Sequence, residues 1–207
     1  PPSQPLAALS NPSSLGATWG LLRPLDLQLF WGASFFMVLA HGVFYSFYSL
    51  YLLEYDYSKS TIGGLWALGV MCEVAFFAVQ TQVFGRLGRV TWLQISYGVC
   101  ALRFAAVAAY PELFWVMALA QAAHALTFAA HHTASISWLR ERLPASIHGR
   151  AQAMYATVAY GLGGTGGTLL GRLAWDTWSP AVAFYLAAGA GLVATVLGWR
   201  LSRCSVV

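Results

Sequence analysis

Apolar residues fill long stretches of the chain, and polar ones collect between them. A helix crosses a bilayer with about 20 consecutive apolar residues. Six stretches reach that length, at roughly 26–53, 60–84, 90–109, 112–139, 150–173 and 180–200, each bounded by charge, proline or glycine. Spanning β-strands would be shorter and would alternate apolar with polar positions. The pattern therefore predicts an all-α membrane protein with six transmembrane helices over residues 26–207. Residues 1–22 (PPSQPLAALSNPSSLGATWGLL) carry no basic stretch leading into an apolar one, so they do not read as a signal peptide. Their proline and serine content reads as a flexible linker, extended here to residue 25. A chain that opens on a linker, with Pro1 in first place, reads as a piece of a longer polypeptide.

Charge sharpens this picture. Label the N-terminal side of the first span "in". Eight arginines (Arg23, Arg86, Arg89, Arg140, Arg142, Arg150, Arg200 and Arg203) then fall on that side, against two basic residues, Lys59 and Arg172, on the other. Glu54, Asp56, Glu112 and Asp176 gather opposite. Positive loops stay cytoplasmic, so both ends of the segment are expected there, with a bacterial inner membrane as the setting. Five or seven spans would break the asymmetry. Tyr51, Tyr55, Tyr57, Trp92, Tyr110, Trp138, Trp175 and Trp178 cluster at span ends, where an aromatic belt is expected.

Composition agrees. Of the 207 residues, 58% are hydrophobic and 9% charged, with a mean hydropathy of +0.62. A soluble domain carries about a quarter charged residues. The net charge of +4 and pI near 9.2 come from arginines set between apolar runs rather than from a patch, which argues against a nucleic-acid partner. The three cysteines have neither metal-ligand spacing nor a readable disulfide framework. No GxSxG, HExxH or Walker A sequence is present, and Ser34 in WGASFF follows no nucleophile pattern. Nothing here predicts an enzyme, a metal or a cofactor.

Titratable residues inside a membrane are costly and read as functional. His41, Glu73, Arg103 and His124 fall near the middle of four different spans. Facing lipid, each would cost a few kcal/mol or more, so they are expected to face one another around a cavity. Apolar surroundings favour a neutral carboxyl group, whereas a neighbouring arginine favours the charged form. Glu73 beside Arg103 is thus a candidate coupling device, with a static Glu–Arg pair that only orients helices as the competing reading. In the fourth span Gln121, His124, His131, His132 and Ser135 share one face at 100° per residue, with Phe128 among them. His131 and His132 also fit ordinary interhelical hydrogen bonding. In the first span His41, Tyr45 and Tyr48 share a face beside Phe44, fitting either an aromatic-friendly cavity or plain packing. In the fifth, Gly163, Gly167 and Gly171 form overlapping GxxxG units, which allow close helix contact or sliding. The same stretch matches GxGxxG through Gly161, Gly163 and Gly166, without the preceding strand or the later acidic residue of a nucleotide site.

The stretches AHGVFYSFYSLYL (40–52), STIGGLWALGVMCEVAFF (60–77), ALRF (101–104), QAAHALTFAAHH (121–132) and GRAQAMYATVAYGLGGTGG (149–167) resemble the C-terminal half of a major facilitator superfamily transporter. The resemblance lies with its proton-symporter branch, which includes phenylpropionate, nucleoside and lactose carriers. It implies two six-helix halves that hold a small solute between them and rock about it. The absent N-terminal half is then a partner, together with protons, substrate and lipid. It also implies proton-coupling and substrate-binding roles for Glu73, Arg103 and His124, to which the residue pattern adds His41, Gln121 and Tyr45. The lean is toward an aromatic or carboxylated substrate. One departure stands out. The loop after the second helix of such a half often resembles D-R-x-G-R, and here Gly85 replaces the Asp in Gly85-Arg86-Leu87-Gly88-Arg89. Two other readings remain open. His41 and His124 suit the axial ligands of a membrane haem or electron-transfer protein, and a membrane scaffold needs none of these residues.

Overall fold

The structure is a computed structural model that describes residues 20, 21 and 23–204. Most of the expected linker therefore lies outside the described residues. Within it, Leu21 is buried and its carbonyl accepts a 2.9 Å hydrogen bond from Trp31 Nε1.

Every regular element among the described residues is helical. Among the described residues four helices are long and apolar enough to cross a membrane: α1 (Leu25–Glu54), α2 (Lys59–Phe84), α3 (Arg89–Ala109) and α8 (Pro180–Cys204). The predicted fourth and fifth spans are also helical but divided. The fourth comprises α4 (Phe114–Ala122), a π-helical stretch at Leu126–Ala130 and α5 (His131–Arg142). The fifth comprises α6 (His148–Tyr155), a π-helical stretch at Ala156–Gly164 and α7 (Thr165–Thr177). Hydrogen bonds to i+5 widen a turn by one residue and rotate everything beyond it. The uniform 100° spacing expected for the fourth span is thus incorrect: an extra residue separates the face of Gln121 and His124 from that of His131 and Ser135.

Turn chemistry sets the ends. Ser58 caps α2, its Oγ accepting from Thr61 N at 3.1 Å. Four-residue connections at 55–58, 85–88 and 110–113 join the first four helices, and Asp56 takes the left-handed conformation with φ 60°.

Helix α1 lies at the centre, against α8, α3 and the fifth span. Small residues let these helices approach. A Cβ on Gly191 of α8 would lie 2.7 Å from Ala101 N, and one on Gly198 would lie 2.6 Å from the Tyr97 ring. Gly163 and Gly167 seat the fifth span on the α1 backbone in the same way, while Gly171 makes room for the Phe47 and Val43 side chains. Helix α2 is the outlier. It leans chiefly on the fourth span and leaves Val70, Met71, Val74 and Phe77 exposed.

The expected aromatic belt is only partly present. Tyr110 and Trp178 are exposed, but Tyr51, Trp92 and Trp138 are buried. They stack on Phe184, Phe84 and Phe30 with ring centroids 4.6, 4.9 and 4.6 Å apart, so they serve the core. At the arginine-rich end Arg142 pairs with Asp26, and Arg89 pairs with Glu141 at 2.9 Å. Arg89 thus finds its carboxylate on the fourth span, where the loop motif would have supplied Asp at position 85.

Candidate functional site

Glu73 on α2, Arg103 on α3, His124 in the fourth span and His41 on α1 meet between helices, as the burial cost of charge predicts. Arg103, His124 and His41 are buried, as is Gln121. Glu73 keeps 17% of its side chain exposed.

The order of contacts differs from the expected Glu–Arg pair: His124 stands between the two. Arg103 Nη1 donates to His124 Nδ1 at 2.9 Å, and His124 Nε2 lies 2.7 Å from Glu73 Oε1. A guanidinium can only donate, so Nδ1 presents its lone pair and Nε2 carries the proton. That N–H points at the Glu73 carboxylate. The Tyr45 hydroxyl, 3.1 Å from the same Nε2, shares it. The chain Arg103→His124→Glu73 therefore has a fixed donor direction. A second proton on His124 would meet the Arg103 donor head-on.

Thr127 is the site residue that sequence reasoning missed. Its Oγ1 accepts from Arg103 Nη1 at 2.9 Å and lies 3.2 Å from His41 Nε2. His41 Nδ1 is 2.8 Å from the Met37 carbonyl and must donate to it, so Nε2 is an acceptor that shares the one Thr127 hydroxyl proton with the His124 carbonyl, 3.3 Å from Oγ1. At uniform helical spacing Thr127 falls off the polar face. A hydroxyl one turn from His124 in an apolar span was the available signal. Gln121 Oε1 adds a long contact to Arg103 Nη2 at 3.5 Å.

Aromatic rings enclose the arginine. Its Cζ lies 4.3 Å from the Phe44 centroid and 4.9 Å from that of Phe104, contacts worth about 2 kcal/mol when desolvated. Phe128 stacks on His124 at 5.4 Å, and Trp66 lies parallel to Tyr45 at 6.0 Å, interplanar angle 14°. Tyr45 is 48% exposed. It lines a cavity of about 340 Å³ with Tyr160, Ser46, Thr165 and Thr168. Tyr48, placed on the same face in the sequence, is buried instead.

A metal or haem finds little here. Both ring nitrogens of His41 and of His124 have protein partners, and no cluster of three metal-binding side chains occurs among the described residues. The GxGxxG glycines lie on the fifth span, with Gly163 packed against α1.

The arrangement makes a stability prediction. Arg103→Ala leaves Glu73 without its counter-charge and three acceptors without their donor. The expected cost is about 3–5 kcal/mol, read as a lowered unfolding temperature in detergent. The double variant Arg103→Ala, Glu73→Gln removes both charges and regains part of that loss. A double variant no more stable than the single one would mean that the two charges are not coupled through His124.

Long apolar helices that bring titratable side chains together in their interior define an integral membrane protein. A model of the MFS_1 like family matches residues 7–186, and the chain belongs to that family. Among curated proteins it is 34% identical over 122 residues to one from Escherichia coli (strain K12) named "Probable 3-phenylpropionic acid transporter", covering 59% of this chain and 32% of the relative. It is 25% identical over 131 residues to the uncharacterized transporter YwbF of Bacillus subtilis (strain 168), covering 63% and 33%. The maltose permease of Geobacillus stearothermophilus is 25% identical over 162 residues, covering 77% and 40%. The chain thus spans well under half the length of the curated relatives it matches. No solved structure matches. Membership of this family points to transport rather than to enzyme chemistry.

Proposed function

We propose that the chain is one six-helix half of a proton-coupled symporter for a small organic anion, with both ends of the segment cytoplasmic. The observation that carries this reading is the one-directional chain from buried Arg103 through His124 to partly exposed Glu73. A charge buried on one helix is balanced by a titratable carboxylate on another. Protonating Glu73 removes that balance and frees the Arg103 charge for a substrate anion. Substrate carboxylate and proton then enter together, and the barrier to moving the loaded site is lowered because no net charge remains. Rocking of the two halves exposes the site to the other side.

The substrate lean toward an aromatic carboxylate is supported by Arg103 set among Phe44, Phe104, Tyr45 and Trp66. The printed name of the Escherichia coli relative points the same way. Six spans are supported by the two π-interrupted helical stretches added to the four uninterrupted helices. The orientation rests on the eight-to-two asymmetry of basic residues.

The test is uptake of 3-phenylpropionate by vesicles holding the complete native polypeptide. One proton accompanying one monoanion moves no net charge. A pH gradient, acid outside, is therefore expected to drive accumulation, while a membrane potential alone drives none. Accumulation under a potential alone, or none under the pH gradient for any aromatic acid, defeats the proposal.

A further inference from the structure

A second set of buried polar groups lies in the lower part of the fourth span, outside the Arg103–His124–Glu73 chain. His131 is buried between the rings of Tyr97, 5.4 Å away, and Tyr155, 6.4 Å away. Ser135 Oγ lies 3.4 Å from its Nε2. Tyr155 also lies against the Tyr160 ring, with centroids 5.7 Å apart. Yet Ser34 Oγ, Tyr97 Oη and Tyr155 Oη are all buried and make no hydrogen bond to the protein.

Each orphaned hydroxyl in a dry interior is destabilising, because it has given up its bonds to water and regained none. Alanine or phenylalanine would fill the same space without that cost. Three such hydroxyls on three helices around one histidine call for an explanation beyond packing. Polar groups that face each other without bonding are the setting for a bridging water.

The cluster also has two connections. The groups facing His131 are His41 on α1, Tyr97 on α3, Tyr155 on α6, and His132 and Ser135 on its own helix, and none is a carboxylate. His41 itself is bonded to Thr127, which accepts from Arg103. On the other side His132 Nδ1 lies 3.2 Å from the Tyr160 hydroxyl, which borders the cavity shared with Tyr45. The stacked rings of Phe30 and Trp138 lie beyond Tyr155, 6.0 Å from Phe30.

We propose that bound water fills the gaps among Ser34, Tyr97, Ser135 and Tyr155, and that this hydrated pocket with His131 carries a proton to and from the cavity at Tyr160. The carrier part rests on the transport reading above. Each hydroxyl, water and ring nitrogen accepts one proton and passes one on, so one proton crosses and no bond to carbon changes. His131 has no carboxylate to hold its charged form, so it passes the proton on rather than storing it.

Two readouts on the complete polypeptide test this separately. Tyr97→Phe and Tyr155→Phe keep the ring and remove the hydroxyl. In a wet pocket each is expected to lower the unfolding temperature by about 2–4 °C, because a satisfied hydrogen bond is lost. In a dry pocket each raises it, which overturns the water. Tyr155→Phe is further expected to slow uptake driven by a pH gradient about tenfold, with substrate exchange at its normal rate. Unslowed uptake overturns the path. If the unaltered protein shows no gradient-driven uptake, the transport reading fails and the path with it, while the unfolding temperatures still decide on the water.

Discussion

Vesicles carrying the Glu73→Gln form of the complete transporter exchange substrate across the membrane but do not accumulate it under a pH gradient. This is the expected result if Glu73 couples transport to protons. Glutamine keeps the size of the side chain and an oxygen that accepts from His124 Nε2, so the 2.7 Å contact and the shape of the site survive. What goes is the ability to alternate between charged and neutral forms. A pH difference of one unit is worth about 1.36 kcal/mol per proton, or about tenfold accumulation for one proton per substrate. In the variant the ratio falls to about one, while counterflow of labelled against unlabelled substrate persists because it needs no net proton movement. Undiminished accumulation would assign the coupling elsewhere. Loss of exchange as well would make Glu73 a substrate ligand or a structural strut.

The second large effect concerns packing. The fifth span lies on α1 with backbone against backbone. A Cβ on Gly167 would sit 2.0 Å from the Leu39 carbonyl oxygen, one on Gly163 2.6 Å from that of Phe35, and one on Gly42 2.2 Å from that of Gly164. Side-chain repacking cannot relieve these clashes, because the obstacle is main chain on both sides. Gly167→Ala must push two central helices apart. Overpacking of this kind costs about 1–3 kcal/mol and occasionally more, and here the expectation is the upper end, seen as loss of folded protein in detergent. Gly166 provides the control. A Cβ there meets nothing within 4 Å, so Gly166→Ala is expected to gain about 0.5–1 kcal/mol from reduced chain entropy alone. Equal behaviour of the two variants would mean that the fifth span is not seated as described.

Much of this was legible in the sequence. The cost of lipid-exposed charge brought Glu73, Arg103, His124 and His41 to one place without any fold knowledge, and the GxxxG spacing anticipated the close approach to α1. Three things were not legible, each for a physical reason. The bridging place of His124 depends on side-chain reach across helices, which spacing along one helix does not encode. The burial of Tyr51, Trp92 and Trp138 depends on which face of a span end meets a neighbour, and an amphipathic ring suits either place. The π-helical stretches carry no compositional mark, since ALTFAA reads as ordinary helix; their neglect hid Thr127.

The π-helical stretch at Leu126–Ala130 has a consequence for comparing this chain with its kin. Gln121 and His124 lie before it and His131 and Ser135 after it, so the two ends of the span keep separate registers. Against a relative whose span is regular α-helix, spatially equivalent positions can be matched only by opening a gap of one residue near Leu126. An ungapped alignment that pairs His124 correctly would then put His131 about 100° around the helix from its true counterpart. Inherited roles would be misassigned for everything beyond the extra residue, even though every letter lined up.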